Sequence, residues 1–308
     1  MKVATSTRGI VVLIGSMLLV SASAASNIPL ATGDAGLSAD FHAASCPQLE
    51  SIVCAAVQAA RAVNVQVTAG LLRIFFHDCL PEGCDASILL EPELSTGPNQ
   101  SLQKNAVDLI EAIRAKVNAA CGPTVSCADI IAVATRDAVA LAGGPMFAMP
   151  LGRTDSLEGA DDVSMLPGPD SDVDSLLTIF NSRALSDPAD LVALSGGHTV
   201  GKASCGFIRN NDQFSQSLVK QCNASPSKKQ SLDTITPDVF DNKYFVALKA
   251  SLVTTFAANQ TAFFAQFAKS MVNMGSIPGP AGEIRRNCFR PNSRVDMDVG
   301  SFGAVADE

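Results

Sequence analysis

The sequence predicts an all-α protein on three observations. Apolar residues recur every three or four positions along much of the chain, one long run is apolar on nearly every face, and glycine–proline clusters end the periodic stretches.

In chain order, Lys2 and Arg8 precede an apolar run at 10–20 and then Ala22-Ser23-Ala24. This is the layout of a secretory signal, with residues 1–25 removed by cleavage near Ala25. A membrane anchor is the rival reading, but it needs about 20 apolar residues, and the run is shorter. No later stretch is long and apolar enough to span a bilayer, so no membrane partner is expected. Val53, Val57, Ala60 and Val63 then mark one helical face, and Leu109, Ile113 and Val117 another. The run 128–141 stops at Gly143-Gly144-Pro145, the punctuation of a helix end, and its all-round apolar character predicts a central buried helix. Gly97-Pro98, Pro167-Gly168-Pro169 and Pro278-Gly279-Pro280 mark loops. Residues 37–290 are expected to form one domain with two lobes around a cleft, within a mature chain of 26–308 whose acidic tail at 294–308 is loose.

Composition narrows the function. In 308 residues, 47% are hydrophobic and 17% charged, enough apolar matter for a large core. The net charge of -8, with no dense Lys/Arg cluster, argues against nucleic acid as a partner. Nine cysteines in an exported chain point to disulfides rather than metal thiolates, with one left over; spacing alone leaves the pairing open.

Three segments carry chemistry. In Arg73-Ile74-Phe75-Phe76-His77, the four-residue spacing places Arg73 and His77 on one helix face, within reach of one pocket. A lone helical histidine is more often structural, so the neighbouring residues decide. In Cys79-Leu80-Pro81-Glu82-Gly83-Cys84-Asp85-Ala86-Ser87, the cysteines can close a small ring with Asp78, Asp85 and Ser87 as oxygen donors, a set suited to calcium. Zinc on His77, Cys79 and Cys84 is the weaker rival, because an oxidising compartment favours the disulfide. In Ser195-Gly196-Gly197-His198-Thr199, the glycines allow backbone to approach a flat ligand closely beside the imidazole. Two of the chain's three histidines lie in these segments.

Together with Ser45-Cys46-Pro47, Pro98-Asn99, Val125-Ser126-Cys127-Ala128-Asp129, Leu151-Gly152-Arg153, Phe240-Asp241-Asn242 and Gly282-Glu283-Ile284-Arg285-Arg286-Asn287-Cys288, these segments resemble the plant secretory (class III) haem peroxidases over nearly all of residues 37–290. The resemblance implies an all-α haem peroxidase fold, distal and proximal lobes enclosing haem b, and a monomer that reduces hydrogen peroxide while oxidising small phenolic donors. It gives His77 the role of general base, Asn99 that of its hydrogen-bond partner, and Arg73 that of stabilising charge as the O–O bond breaks. Phe76 would shield the distal pocket, Pro167 would border the donor site, and His198 would be the axial iron ligand. The protein would be secreted, to the cell wall or the vacuole.

The same resemblance implies two calcium ions. One would take Asp78, Asp85, Ser87 and the carbonyls of Pro81 and Gly83, with Glu93 behind it through water; the other Thr199, Asp233, Thr236, Asp241 and the Val239 carbonyl. Disulfides would join Cys46 with Cys121, Cys79 with Cys84, Cys127 with Cys288 and Cys205 with Cys222, leaving Cys54 as a buried structural thiol. Of three glycosylation sequons, Asn99 is needed inside, which leaves Asn223 and Asn259.

The chain departs from the family pattern after Tyr244. Leu248-Lys249-Ala250-Ser251 runs almost directly into Leu252-Val253-Thr254, and a segment is missing whose aspartate normally accepts the proximal histidine's N–H. The loop between Cys205 and Cys222 is also short, and Phe147 stands where the family has its tryptophan. These departures define a rival reading: a catalytically impaired or haem-free, calcium-binding secreted protein on the same fold.

Overall fold

A computed structural model describes residues 36–208, 213–224, 228–248 and 253–293. The expected signal segment, the acidic tail and the junction at 249–252 lie outside the described residues. The fold is helical, as the periodicity predicts: α1 (Leu49–Val63), α2 (Val67–Glu82), α3 (Lys104–Cys121), α4 (Cys127–Leu141), α5 (Val173–Ser182), α6 (Pro188–Ser195), α7 (Gln213–Ala224), α8 (Lys243–Leu248), α9 (Thr254–Ala258) and α10 (Gln260–Gly275). An antiparallel ribbon, β1 (Lys202–Ala203) with β2 (Gln230–Ser231), is the one sheet among the described residues. No described helix is long and apolar enough to cross a membrane.

One lobe is built on α4. Ile130, Ile131, Ala132, Val133 and Ala134 are all at 0% exposure, and α1, α2 and α3 pack around them. The Ser126 hydroxyl caps the helix by accepting from the Asp129 N–H. Asp129 is a buried hub: it takes a 2.8 Å bond from Arg153 Nη1, a 2.8 Å bond from the Gly152 N–H, and lies 2.8 Å from His42 Nε2. Asp155 accepts from the first two N–H groups of α4, Cys127 and Ala128, and from Arg285 N, where the helix N-terminus favours negative charge. Val63 ends α1 at 90% exposure, because the helix stops before its face returns to the core.

The other lobe is organised by α10, which packs on α6, α9 and, across the lobes, on α2. Phe240, Phe245, Phe256, Phe263, Phe264 and Phe267 form its aromatic core, with Phe240 and Phe263 stacked at 5.9 Å. Each fully buried ring contributes about 1.5–3 kcal/mol relative to exposure. Phe147 is buried.

The disulfides are Cys46–Cys121, Cys79–Cys84, Cys127–Cys288 and Cys205–Cys222. The second takes both sulfurs from the zinc alternative. Cys54 is free and half-buried rather than buried; burial, then the nearby Asp137 carboxylate, pushes its thiol pKa up, so it is not a reactive thiolate.

Candidate active site

The distal half of the site is set by α2 and by the short turn at Gly97–Ser101. His77 is 7% exposed and its Nδ1 lies 2.7 Å from Asn99 Oδ1. The amide is oriented by Asn99 Nδ2, which donates to the Glu93 carbonyl at 3.0 Å. Asn99 Oδ1 therefore faces the ring, and because it can only accept, His77 Nδ1 carries the hydrogen. That leaves Nε2 with its lone pair, and Arg73 Nε donates towards it at 3.3 Å. The rest of the guanidinium is clamped to the Asn99 turn, through Nη1 to the Ser101 carbonyl and Nη2 to the Pro98 carbonyl and Ser101 hydroxyl. Burial, opposed by the Asn99 bond and helped by the Arg73 charge, lowers the His77 pKa to about 4. Phe76 is half-buried, with its ring edge-on to His77 at 5.8 Å.

Next to this relay lies an acidic cluster. Both oxygens of Asp78 and one each of Asp85 and Glu93 are buried without a hydrogen-bond partner of normal geometry. The Ser87 N–H donates to Asp85 at 3.0 Å, and the Glu93 carboxylate accepts from the Ala160 N–H at 2.8 Å. Burial, then the charges of Asp85 and Glu93, raises the Asp78 pKa; burial raises that of Asp85 and pushes Glu93 up to about 7. Arg285, at 0% exposure, is the nearby cation, donating Nη2 to the Ala86 carbonyl. Pro81 and Gly83 flank the cluster in the Cys79–Cys84 ring. Gly83 has φ +105°, and a Cβ there would strike the Pro278 carbonyl at 2.1 Å, which is why this turn takes glycine.

The proximal half follows α6, in the turn Gly196–Thr199. His198 Nδ1 lies 3.0 Å from the Ser195 carbonyl, again an acceptor only, so Nδ1 carries the hydrogen and Nε2 is free. The ring is accessible to solvent, yet protein mass around it lowers its pKa by desolvation. The two glycines before it differ: a Cβ on Gly196 would lie 2.5 Å from the Phe263 ring, whereas one on Gly197 would meet only Phe267 at 4.0 Å. Gly196 is thus required by aromatic packing, and only Gly197 is open to a ligand.

Behind the histidine, Thr199, Asp233, Thr236 and Asp241 converge. Thr199 Oγ1 donates to Asp233 at 2.9 Å, Thr236 Oγ1 to Asp241 at 2.8 Å, and both Ile235 and Thr236 N–H groups bond Asp233. Val239 is adjacent and exposed. Pro167 is half-buried in the loop before α5, and Asn223 and Asn259 are exposed. Among the described residues no three His, Cys, Asp or Glu side chains close on one point, so either oxygen set needs hydroxyl and carbonyl donors to complete a shell. A surface hollow of about 640 Å³ lined by Lys202, Lys228 and Lys229 also exists. It contains neither histidine.

Sequence reasoning missed the Ser101 and Ser195 contacts, since carbonyl acceptors leave no residue-type signal. It also missed Tyr244, whose ring lies 5.7 Å from that of His198.

The chain is similar to known peroxidases along most of its length. The Peroxidase family model matches residues 53–275. Peroxidase 42 of Zea mays is 40% identical over 296 residues, covering 85% of this chain and 92% of its own length. Cationic peroxidase SPC4 of Sorghum bicolor is 40% identical over 300 residues, covering 84% and 83%, and Peroxidase C2 of Armoracia rusticana is 38% identical over 314 residues, covering 86% and 90%. Likeness to peroxidases over most of the chain favours the enzyme over the scaffold reading, with hydrogen peroxide and a reducing donor as substrates and haem as the cofactor the family implies. On this α-helical frame, with the family model covering residues 53–275 and relatives 38–40% identical over most of the chain, this chain belongs to the peroxidase family, in its plant class III branch.

Proposed function

We propose that the chain is a secreted, monomeric haem b peroxidase that takes phenolic donors, with His77, Arg73 and Asn99 as its distal machinery and His198 as the axial ligand. The observation that carries this is the fixed relay Glu93 carbonyl–Asn99–His77–Arg73, which leaves His77 Nε2 unprotonated, an acceptor towards Arg73 Nε. The residues fit haem: His198 presents an unprotonated Nε2 on an accessible ring, Gly197 leaves open space beside it, and phenylalanines back it.

Haem, held by His198, would supply the redox chemistry of peroxide reduction and the oxidising equivalents for two one-electron donor oxidations. His77 Nε2 would take a proton from one peroxide oxygen and return it to the other, which would leave as water, while Nδ1 keeps its hydrogen on Asn99. Arg73 stabilises the negative charge that develops as the bond breaks, and it is pre-placed for this by the Pro98 and Ser101 acceptors. Phe76 narrows access to the distal side, and Pro167 borders the donor approach.

The acidic cluster fits a calcium ion. Orphaned carboxylate oxygens of Asp78, Asp85 and Glu93 stand against one Arg285, a buried excess of negative charge that a hard divalent cation neutralises. Asp78 and Asp85, the Ser87 hydroxyl and the Pro81 and Gly83 carbonyls would hold it. Thr199, Asp233, Thr236, Asp241 and the Val239 carbonyl would hold a second ion.

The test is His77→Leu. The peroxide-consuming step is expected to slow by roughly 100- to 10,000-fold with haem retained; an unchanged rate would overturn the assignment of the base.

A further inference from the structure

The proximal histidine has a partner unlike the one the family pattern provides. Nδ1 of His198 meets the Ser195 carbonyl at 3.0 Å. Ser195 is the last residue of α6 and the N-cap of the short turn that follows, so its carbonyl lies at a helix C-terminus. The turn Gly196–Thr199 brings this i−3 carbonyl under the ring. Such a carbonyl carries a fraction of a charge, whereas a carboxylate carries a whole one.

Among the described residues no carboxylate bonds His198 Nδ1 in its place. From residue 242 to 282 the sequence contains no Asp or Glu. The acids nearby in the fold are committed elsewhere: Asp190 accepts from the Ser270 hydroxyl at 2.6 Å and from Gln266, while Asp233 and Asp241 are held by Thr199 and Thr236. The other neighbours are aromatic. Phe245 and Phe263 press on Gly196, and Tyr244 stays a neutral phenol, its pKa pushed up to about 12 by burial.

We infer that His198 binds iron as a neutral imidazole, hydrogen-bonded to the Ser195 carbonyl, and donates less electron density than a histidine paired with a carboxylate. This rests on His198 being the axial ligand. An N–H acceptor raises the basicity of a ligating imidazole in proportion to its negative charge, and axial donation sets how readily the iron is reduced. The ferric/ferrous potential is therefore more positive than in relatives that keep the aspartate. O–O cleavage depends correspondingly more on Arg73 and His77, and Ser195 acts as a positioning residue through its backbone.

Resonance Raman spectroscopy of the ferrous holoenzyme reads the iron–histidine stretch directly, and spectroelectrochemistry reads the potential. The expected result is a lower stretching frequency and a more positive potential than in a family member whose proximal histidine faces a carboxylate; equal values in both measurements overturn the inference. Tyr244→Glu, which places an acid beside the ring, should raise the frequency and lower the potential where haem is retained, and failure to shift either counts against a neutral ligand. His198→Ala separates the two claims. Loss of the iron–histidine band supports the ligand assignment, and persistence of the band overturns that assignment rather than the state of its partner.

Discussion

His77 Nδ1 sits 2.7 Å from Asn99 Oδ1, and this one contact decides which nitrogen of the imidazole faces the pocket. The amide is locked by its own bond to the Glu93 carbonyl, so the tautomer is set by backbone two steps from the ring. Asn99→Val frees Nδ1, and the proton then exchanges between both nitrogens. The second-order rate with peroxide is expected to fall about 10- to 100-fold, read by rapid mixing, with donor oxidation little changed. An unaffected peroxide step would show that the bond does not set the tautomer.

The same ring gives a pH dependence. With its pKa lowered to about 4 by burial, His77 stays an unprotonated base from neutrality down to mild acidity. The peroxide rate should hold level between about pH 7 and 5, and drop about tenfold per unit below pH 4. Arg73 is one of the lowering influences, so Arg73→Leu should move the acid limb to higher pH while reducing the plateau about 100- to 1000-fold. A limb that moves the other way would show that the guanidinium charge does not act on His77.

Calcium removal should invert the stability profile. Glu93 has a pKa of about 7 in the folded, metal-free chain against an ordinary value of 4.5, and Asp78 and Asp85 are raised too. The folded state then binds more protons than the unfolded one, so this part of its stability is complete below about pH 4.5 and lost as pH rises through 7. After chelation, Tm should be higher at pH 5 than at pH 8. With calcium bound the carboxylates are neutralised as anions, and the difference should shrink or reverse. Equal profiles in both conditions would remove the metal from the cluster.

Much of this was legible in the sequence because it was local. The all-round apolar run of α4 announced a buried helix, and the four-residue spacing of Arg73 and His77 announced a shared face. What was not legible depended on long-range or backbone partners. Val63 fits the α1 pattern, yet tertiary packing ends before it. His42 and Arg153 meet on Asp129 from positions 87 and 24 residues away. The β1–β2 ribbon, two residues per strand, is too short for alternation to register. Ser195 acts through a carbonyl that every residue possesses, so the missing aspartate could be read from the sequence while its replacement could not.

The two glycines before His198 make the last test, because the sequence treats them alike and the structure does not. An alanine Cβ at Gly196 would sit 2.5 Å from Phe263 Cε2 and 2.8 Å from Phe245 Cζ, both in a packed aromatic core at 0% exposure. Those rings cannot retreat without disturbing Phe240 and Phe267, so Gly196→Ala should destabilise the fold by about 1–3 kcal/mol and tilt the turn that carries His198. At Gly197 the same methyl meets nothing nearer than 4.0 Å, and the haem-free protein should change by less than about 0.5 kcal/mol. Haem titration separates the two effects: Gly197→Ala should weaken haem binding without unfolding the chain, because the methyl stands in the open space the ligand needs. If Gly196→Ala is the better tolerated in thermal unfolding, the aromatic wall is not what fixes the proximal turn.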